Sequence, residues 1–311
     1  MKTLYYTLSI FMISFSSVAQ DVIKTLGQKK EIKAPTCRDN RFRMVSDCAN
    51  TVYYDEGVDA VFHKKSGKPY TGRCKTCYGN GNIEMFIEFV NGKPEGVDTV
   101  YYESGKINLI RSHYQGKEDG RWAFYREDGT LKWEKNYMAG QAEGKHIYYY
   151  PDGTIFKTEE WKMGQLNGIK KVFYQGENGE QGRLQKEIHY KNGNFDGMYI
   201  TYFENGQVES EQLFVNDKKD GLSKYYYDDG KLFYTESYNK GKRHGEIKRL
   251  YKNGNTWIIE KYKNDVKVGV WKEYYPEGML KYEGVYNKKG QLKEEHYYNE
   301  DGDEMASPPN K

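Results

Sequence analysis

Between Thr130 and Tyr137 the chain alternates: Leu131, Trp133 and Tyr137 stand on one side, Lys132, Glu134 and Asn136 on the other. Ile83, Met85, Ile87 and Phe89 keep the same spacing. Period-two alternation predicts a β-strand. A short aromatic run precedes the first example, Arg121–Arg126, and the two are joined by Glu127–Gly129. Such triplets recur as EDG, PDG, ENG, DDG, KNG and PEG. They suit tight hairpin turns, where glycine supplies the positive φ that other side chains resist. A second, longer connection leads to the next aromatic run, as in Met138–Gly144, Val215–Gly221 and Asn239–Gly245. Asp217 and Asp265 replace its first glycine, and Asp tolerates left-handed backbone better than most residues. No helical 3.6 period of convincing length occurs.

The pattern repeats every 24 residues. Gly72, Gly96, Gly120, Gly144 and Gly168 are evenly spaced, as are Gly197, Gly221, Gly245 and Gly269, and one five-residue insertion separates the two series. Aromatic residues recur at fixed offsets, including the pairs Tyr101-Tyr102, Tyr149-Tyr150, Tyr226-Tyr227 and Tyr274-Tyr275. A period of this size marks an array in which each unit depends on its neighbours. The expected fold is all-β: an elongated single-layer antiparallel β-meander of tandem 24-residue β-hairpins, about ten between residues 48 and 292, with residues 48–71 as a degenerate first unit and the insertion near 175–184. The 31 tyrosines then cover half-exposed sheet, with rings packed and hydroxyls wet.

Composition fits a thin sheet. Hydrophobic residues make up 37% of the chain and aromatic ones 16%, apolar content below the usual globular range of about 45–50%. Residues 1–19 read as a secretory signal peptide: Lys2, the apolar stretch Leu4–Phe15, then Ser17-Val18-Ala19. The apolar run is short for a span, and no cysteine follows it for lipid attachment. The protein is therefore expected to be exported, to the periplasm, the outer surface or the medium. Residues 20–47 read as an N-terminal linker and cap, and 293–311 as a C-terminal cap and disordered tail. Setting aside Lys2, the 48 basic residues become 47 against 45 acidic ones, a net of +2, which does not favour nucleic acid.

Four cysteines, Cys37, Cys48, Cys74 and Cys77, lie toward the N-terminus. An exported protein favours disulfides; a zinc half-site is the rival for the CxxC pair. Cys74 and Cys77 on one extended strand would lie about 10 Å apart, too far to bond. Cys48, two strands over, would also lie about 9–10 Å away. Either that strand is broken or Cys37 reaches one of the pair. The expected role is a cap on the first edge of the array.

Catalytic signatures are missing from the sequence. The six histidines are scattered, and there is no HExxH, GxSxG or GxxxxGK[ST]. The turn acids Asp128, Asp152 and Asp229 recur with the period, which marks them as structural. No catalytic residue, cofactor or metal is expected. The candidate binding residues are Tyr102, Tyr150, Tyr174, Tyr227, Tyr251 and Tyr275, either packed within the sheet or offered as amphipathic rings to a partner. The insertion Gln175–Leu184 is a second candidate.

Stretches such as Tyr190–Phe214 and Tyr238–Gly254 carry Y-x-x-G-x-x-x-G followed by a strand and Y/F-x-x-G. They resemble the MORN-repeat variant family of bacteria, exported members of which are often labelled antitoxin components. The resemblance covers residues 48–292 and implies a single-layer antiparallel meander; relatives are linked to scaffolding and to membrane lipids. The expected function is a non-catalytic, monomeric protein-binding or scaffold surface, its partner another protein of the cell envelope or outside the cell. The alternatives are a binder of cell-surface glycan or lipid headgroups, with peripheral membrane contact, or an immunity-type protein that sequesters a toxin. Tryptophan at no fixed offset argues against glycan cages, and a net of +2 supplies no basic stripe for lipid.

Overall fold

Two glycine-dependent turns build each repeat. The computed structural model describes Cys37 and residues 45–308. In the repeat that starts at Gly144, the strands Gly144–Tyr149 and Ile155–Lys162 pair antiparallel. The turn between them is closed by Gly153 N–H on Tyr150 O at 3.1 Å and Tyr150 N–H on Thr154 O at 2.8 Å. Gly153 has φ 88°, and the register slips between Tyr148 and Tyr149, a turn followed by a glycine bulge.

The longer connection is tighter than it reads. Met163 and Gly164 take φ 49° and 77°, the two-residue type I′ turn that suits the twist of paired strands. Gln165–Leu166 then pairs straight back onto Trp161–Lys162. Gly168, at φ 123°, carries the chain across a bulge into the next strand. A Cβ there would fall 2.8 Å from the Cβ of Glu160. The periodic glycine takes positive φ throughout the series, and at Gly168 and Gly197 a neighbouring side chain also leaves no space for a Cβ. Asp217 and Asp265 hold the second I′ position at φ 63° and 69°. The turns also bond from repeat to repeat: Gly164 N–H donates to Ala142 O at 2.9 Å, and Gly241 N–H to Lys219 O at 2.8 Å.

The chain forms two compact bodies, one reaching Gly120 with Glu127–Gly129, the other holding Arg121–Arg126 and the chain from Thr130. Apart from the helical turn Cys48–Thr51, the described elements are strands. In each body consecutive hairpins build an open, mostly antiparallel sheet in one layer. The last two strands are Leu292–Tyr298 and Glu304–Met305.

The first body has the denser core: Cys48, Val52, Val61, Tyr70, Cys74, Met85, Ile87 and Phe89. Its start departs from the repeat. Val52–Asp55 and Ala60–His63 form a separate two-stranded sheet, and Ser46–Asp47 lies parallel to Cys74–Lys75 along the edge of the main one. Cys48 opens the helical turn, with Asp47 as its cap. It therefore does not sit two strands from Cys74, as the period suggests, but beside it, and the two are joined with Cα atoms 5.0 Å apart. Cys37 reaches Cys77, Cα to Cα 5.5 Å. All four thiols are in disulfides. The expected signal peptide, and most of the expected linker, lie outside the described residues.

Candidate binding surface

Register divides the side chains into two faces. Gly144↔Trp161, His146↔Glu159 and Tyr148↔Lys157 share one; Lys145↔Glu160 and Ile147↔Thr158 share the other.

The first is a ring face. Where the periodic glycine stands opposite an aromatic residue of the returning strand, as Gly144 opposite Trp161 and Gly269 opposite Tyr286, rings from neighbouring strands meet over the backbone. Trp122–Tyr137 (5.0 Å), Tyr137–His146 (5.9 Å) and His146–Trp161 (5.4 Å) make one run. Tyr262–Trp271 (5.5 Å) and Trp271–Tyr286 (5.0 Å) make another. Basic side chains that follow the type I′ turns lie over rings: Lys219 on Tyr238 at 5.1 Å, Arg243 on Tyr262 at 5.5 Å and Lys267 on Trp271 at 4.0 Å.

Polar groups are buried among these rings. His146 Nε2 meets Asn136 O at 2.9 Å, and burial holds its imidazole below the ordinary value. Burial alone would raise the Glu159 carboxyl, but Lys157 at 2.7 Å and Lys170 at 3.1 Å outweigh it and the group is lowered. Glu236 accepts from Tyr238 Oη and Arg243 Nε, both at 2.7 Å. Burial and that carboxylate push the Tyr238 phenol up. In the first body Asp98 Oδ2 accepts from Arg111 Nε at 2.8 Å, and His113 Nδ1 lies 2.9 Å from Asp98 Oδ1. None of these residues was singled out from the sequence for this role. Only the register, which sets the third residue of the repeat opposite the sixteenth, marks them as interior.

The second is an ion-pair face. Lys171–Glu187 (3.3 Å), Lys224–Glu211 (3.7 Å) and Lys272–Glu283 (3.0 Å) cross adjacent strands along its middle. Tyr226 Oη donates to the same Glu211 at 3.0 Å. Toward the type I′ turns this face becomes apolar and open: Leu213, Val215 and Leu222 are 38%, 43% and 48% exposed. They sit on the consecutive strands Val208–Val215 and Gly221–Tyr226. Val266 and Val270 continue the exposed apolar residues further along the second body.

The sequence-predicted tyrosines occupy neither surface freely. Tyr150 Oη donates to Phe173 O (2.9 Å), Tyr174 to Tyr202 O (2.8 Å), Tyr227 to Leu250 O (3.2 Å), Tyr251 to Tyr274 O (2.8 Å) and Tyr275 to Tyr298 O (2.9 Å). Each acceptor lies in the next repeat. Tyr102 holds the same turn position in the first body. The hydroxyls thus latch one repeat to the next, and the rings pack at the short turns, as Tyr150 on Phe156 (5.1 Å) and Tyr227 on Phe233 (4.9 Å). Arg126 takes the tyrosine's place once, donating from Nη2 to Tyr149 O at 2.6 Å. The insertion bends back on the preceding turn. Gln181 accepts from Ile155 N–H at 2.7 Å and donates to its carbonyl at 2.9 Å, in place of a strand partner.

Among the described residues no group of three or more His, Cys, Asp or Glu side chains could hold a metal ion. A small apolar pocket under Val52, Tyr53 and Tyr54 has room for at most about one water. The arrangement is one of faces and edges.

Residues 142–163, 195–216, 219–240 and 267–288 match the model of the MORN repeat variant. These four units are MORN-variant repeats, as the sequence resemblance implies. No curated protein matches the chain. Among solved structures it is similar to TcdB2-TccC3 without the hypervariable C-terminal region, at 11% identity over 81% of this chain and 17% of that one, with a TM-score of 0.18. It is also similar to the Photorhabdus luminescens Tc holotoxin pore, at 12% identity over 81% of this chain and 16% of that one, with a TM-score of 0.15. The chain spans about a sixth of the length of either. At these scores the likeness supports no conclusion about fold or function.

Proposed function

From an array of MORN-variant repeats that offers faces rather than an enclosed site, we propose a non-catalytic, exported protein that binds or scaffolds another protein through its ion-pair face. The observation that carries this reading is the open apolar strip of Leu213, Val215 and Leu222 beside a row of ordered charges. Contiguous exposed apolar side chains rimmed by polar ones favour a protein contact. Two disulfides suit an oxidising compartment. The glycan and lipid alternatives have less support, because the rings of the opposite face stack on one another and their basic neighbours lie over rings.

The test is crosslinking capture from envelope extract with the mature chain and with a Leu213→Glu/Leu222→Asp double variant, beside liposome and glycan pull-downs. Capture of a partner by the wild type and its loss in the folded variant is the expected result. Saturable liposome or glycan binding without a protein partner sinks the reading.

A further inference from the structure

Among the described residues, one edge of the sheet is left open. At the start of the first body, Ser46–Asp47, the helical turn and the Cys48–Cys74 bridge lie along the strand Gly72–Cys77. The last full strand, Leu292–Tyr298, pairs along one side with Leu280–Tyr286. On its other side the described residues supply only Glu304–Met305, opposite Tyr297 and Tyr298. In the preceding repeat the returning strand covers Gly269 to Tyr274 entirely. Here it ends after two residues, and Ala306, Ser307, Pro308 and Pro309 follow; proline cannot donate to a ladder. No strand among the described residues covers Leu292–His296 on that side. Asn299 N–H donates to Asp303 O on that side. Backbone groups two residues apart on a strand point the same way, so Glu295 turns its N–H and C=O outward, with no strand opposite. An edge of this kind is a template for a further strand.

Charge selects what can occupy it. From Leu292 to Met305 the chain carries Lys293 against Glu294, Glu295, Glu300, Asp301, Asp303 and Glu304, one positive and six negative charges, a net of −5 with His296 neutral. The four residues Leu292–Glu295 are exposed. A second copy of the chain would bring the same acids against these, and like charges across paired strands repel. We propose that the edge Leu292–His296 takes up an extended lysine- or arginine-rich segment of another protein as an added strand. The backbone of Glu295 supplies the pairing, and the surrounding carboxylates supply selection for basic side chains. This rests on the reading that the protein binds protein, but it uses an edge and main-chain bonds rather than the ion-pair face.

The probe is an eight-residue peptide alternating lysine and threonine, titrated into the mature chain at low salt. Controls are the same peptide with alternate amides N-methylated and a version with glutamate for lysine. Saturable binding of the first is expected, weakened at least about tenfold by N-methylation through lost backbone bonds. The glutamate version should not bind. Glu295→Pro removes the outward N–H at an edge position that tolerates proline, and should cost a similar factor with circular dichroism unchanged. Glu294→Gln/Glu295→Gln keeps the N–H, and should cost about threefold or more through charge alone. Equal affinity of the N-methylated peptide would show charge attraction without strand pairing and overturn the proposal. So would absence of binding at millimolar peptide, or self-association of the chain that the peptide displaces. The Leu213→Glu/Leu222→Asp variant should bind the peptide as the wild type does. Peptide binding kept while its partner capture is lost confines a failure to one surface or the other.

Discussion

His146 is a buried imidazole held in its neutral form. It is 2% exposed, stacked between Tyr137 and Trp161 and bonded to the Asn136 carbonyl. Burial lowers its pKa first; the Asn136 carbonyl pulls it up, Lys135 and Lys157 push it down and Glu159 pulls it up, with a net fall. The unfolded chain therefore takes up a proton near pH 6.5 that the folded one refuses. The stability this provides is present above that pH and is lost as pH falls through it. Glu159 is also lowered, but its share is lost only in the more acidic carboxylate range. Urea denaturation at pH 7.5 and pH 5 separates them. The wild-type midpoint should fall on acidification, His146→Gln should fall by less, and Glu159→Gln by as much as the wild type. An equal fall for wild type and His146→Gln would contradict the assignment.

The hairpin is held to its neighbour by one side-chain hydrogen bond per repeat, from a tyrosine hydroxyl or, once, the Arg126 guanidinium, and Phe203 cannot make it. Phe203 stands where the other repeats have tyrosine or arginine, 23 residues before Tyr226, so its ring has no group to bond that carbonyl. Phe203→Tyr should stabilise and Tyr251→Phe should destabilise, each by about 1 kcal/mol. Hydrogen exchange should slow at residues 226–230 in the first and quicken at 274–278 in the second; no change at either place would remove the latch as an element of stability. The hairpins, the short turns and the tyrosine row were legible in the sequence, because glycine and aromatic side chains report backbone demands directly; the second connection read only as long, because the two-residue strand and bulge inside it carry no pattern of their own. The latch was not legible, since its acceptor is a main-chain carbonyl with no identity of its own. Nor were the buried polar positions: counted from the periodic glycine, the third residue is Cys74, Asp98, Trp122, His146, Ser223 or Ile247, and chemistry so varied carries no periodic signal. The Cys48–Cys74 bridge was hidden for another reason. The period extends into a stretch that folds as a helical turn.

Within each body the described strands pack mainly on their sequence neighbours, so stability is a sum of local terms and a cap acts chiefly on what it touches. The bridges close separations of 40 and 26 residues, and loop-closure entropy gives each about 3.5–4 kcal/mol. That stabilisation lies in the first body, where Cys48 and Cys74 belong to the same core cluster as Met85 and Phe89. Reduction should therefore melt this end selectively. In hydrogen exchange with and without reductant, protection over Val52–Val90 should drop while that over Leu184–Tyr286 stays as it was. The selectivity follows from how the second body is held. Its strands depend on ring contacts such as Trp271–Tyr286 and latches such as Tyr251–Tyr274, none of which passes through a cysteine. Uniform loss of protection along both bodies would mean that the array unfolds as one cooperative unit, and would overturn the nearest-neighbour account.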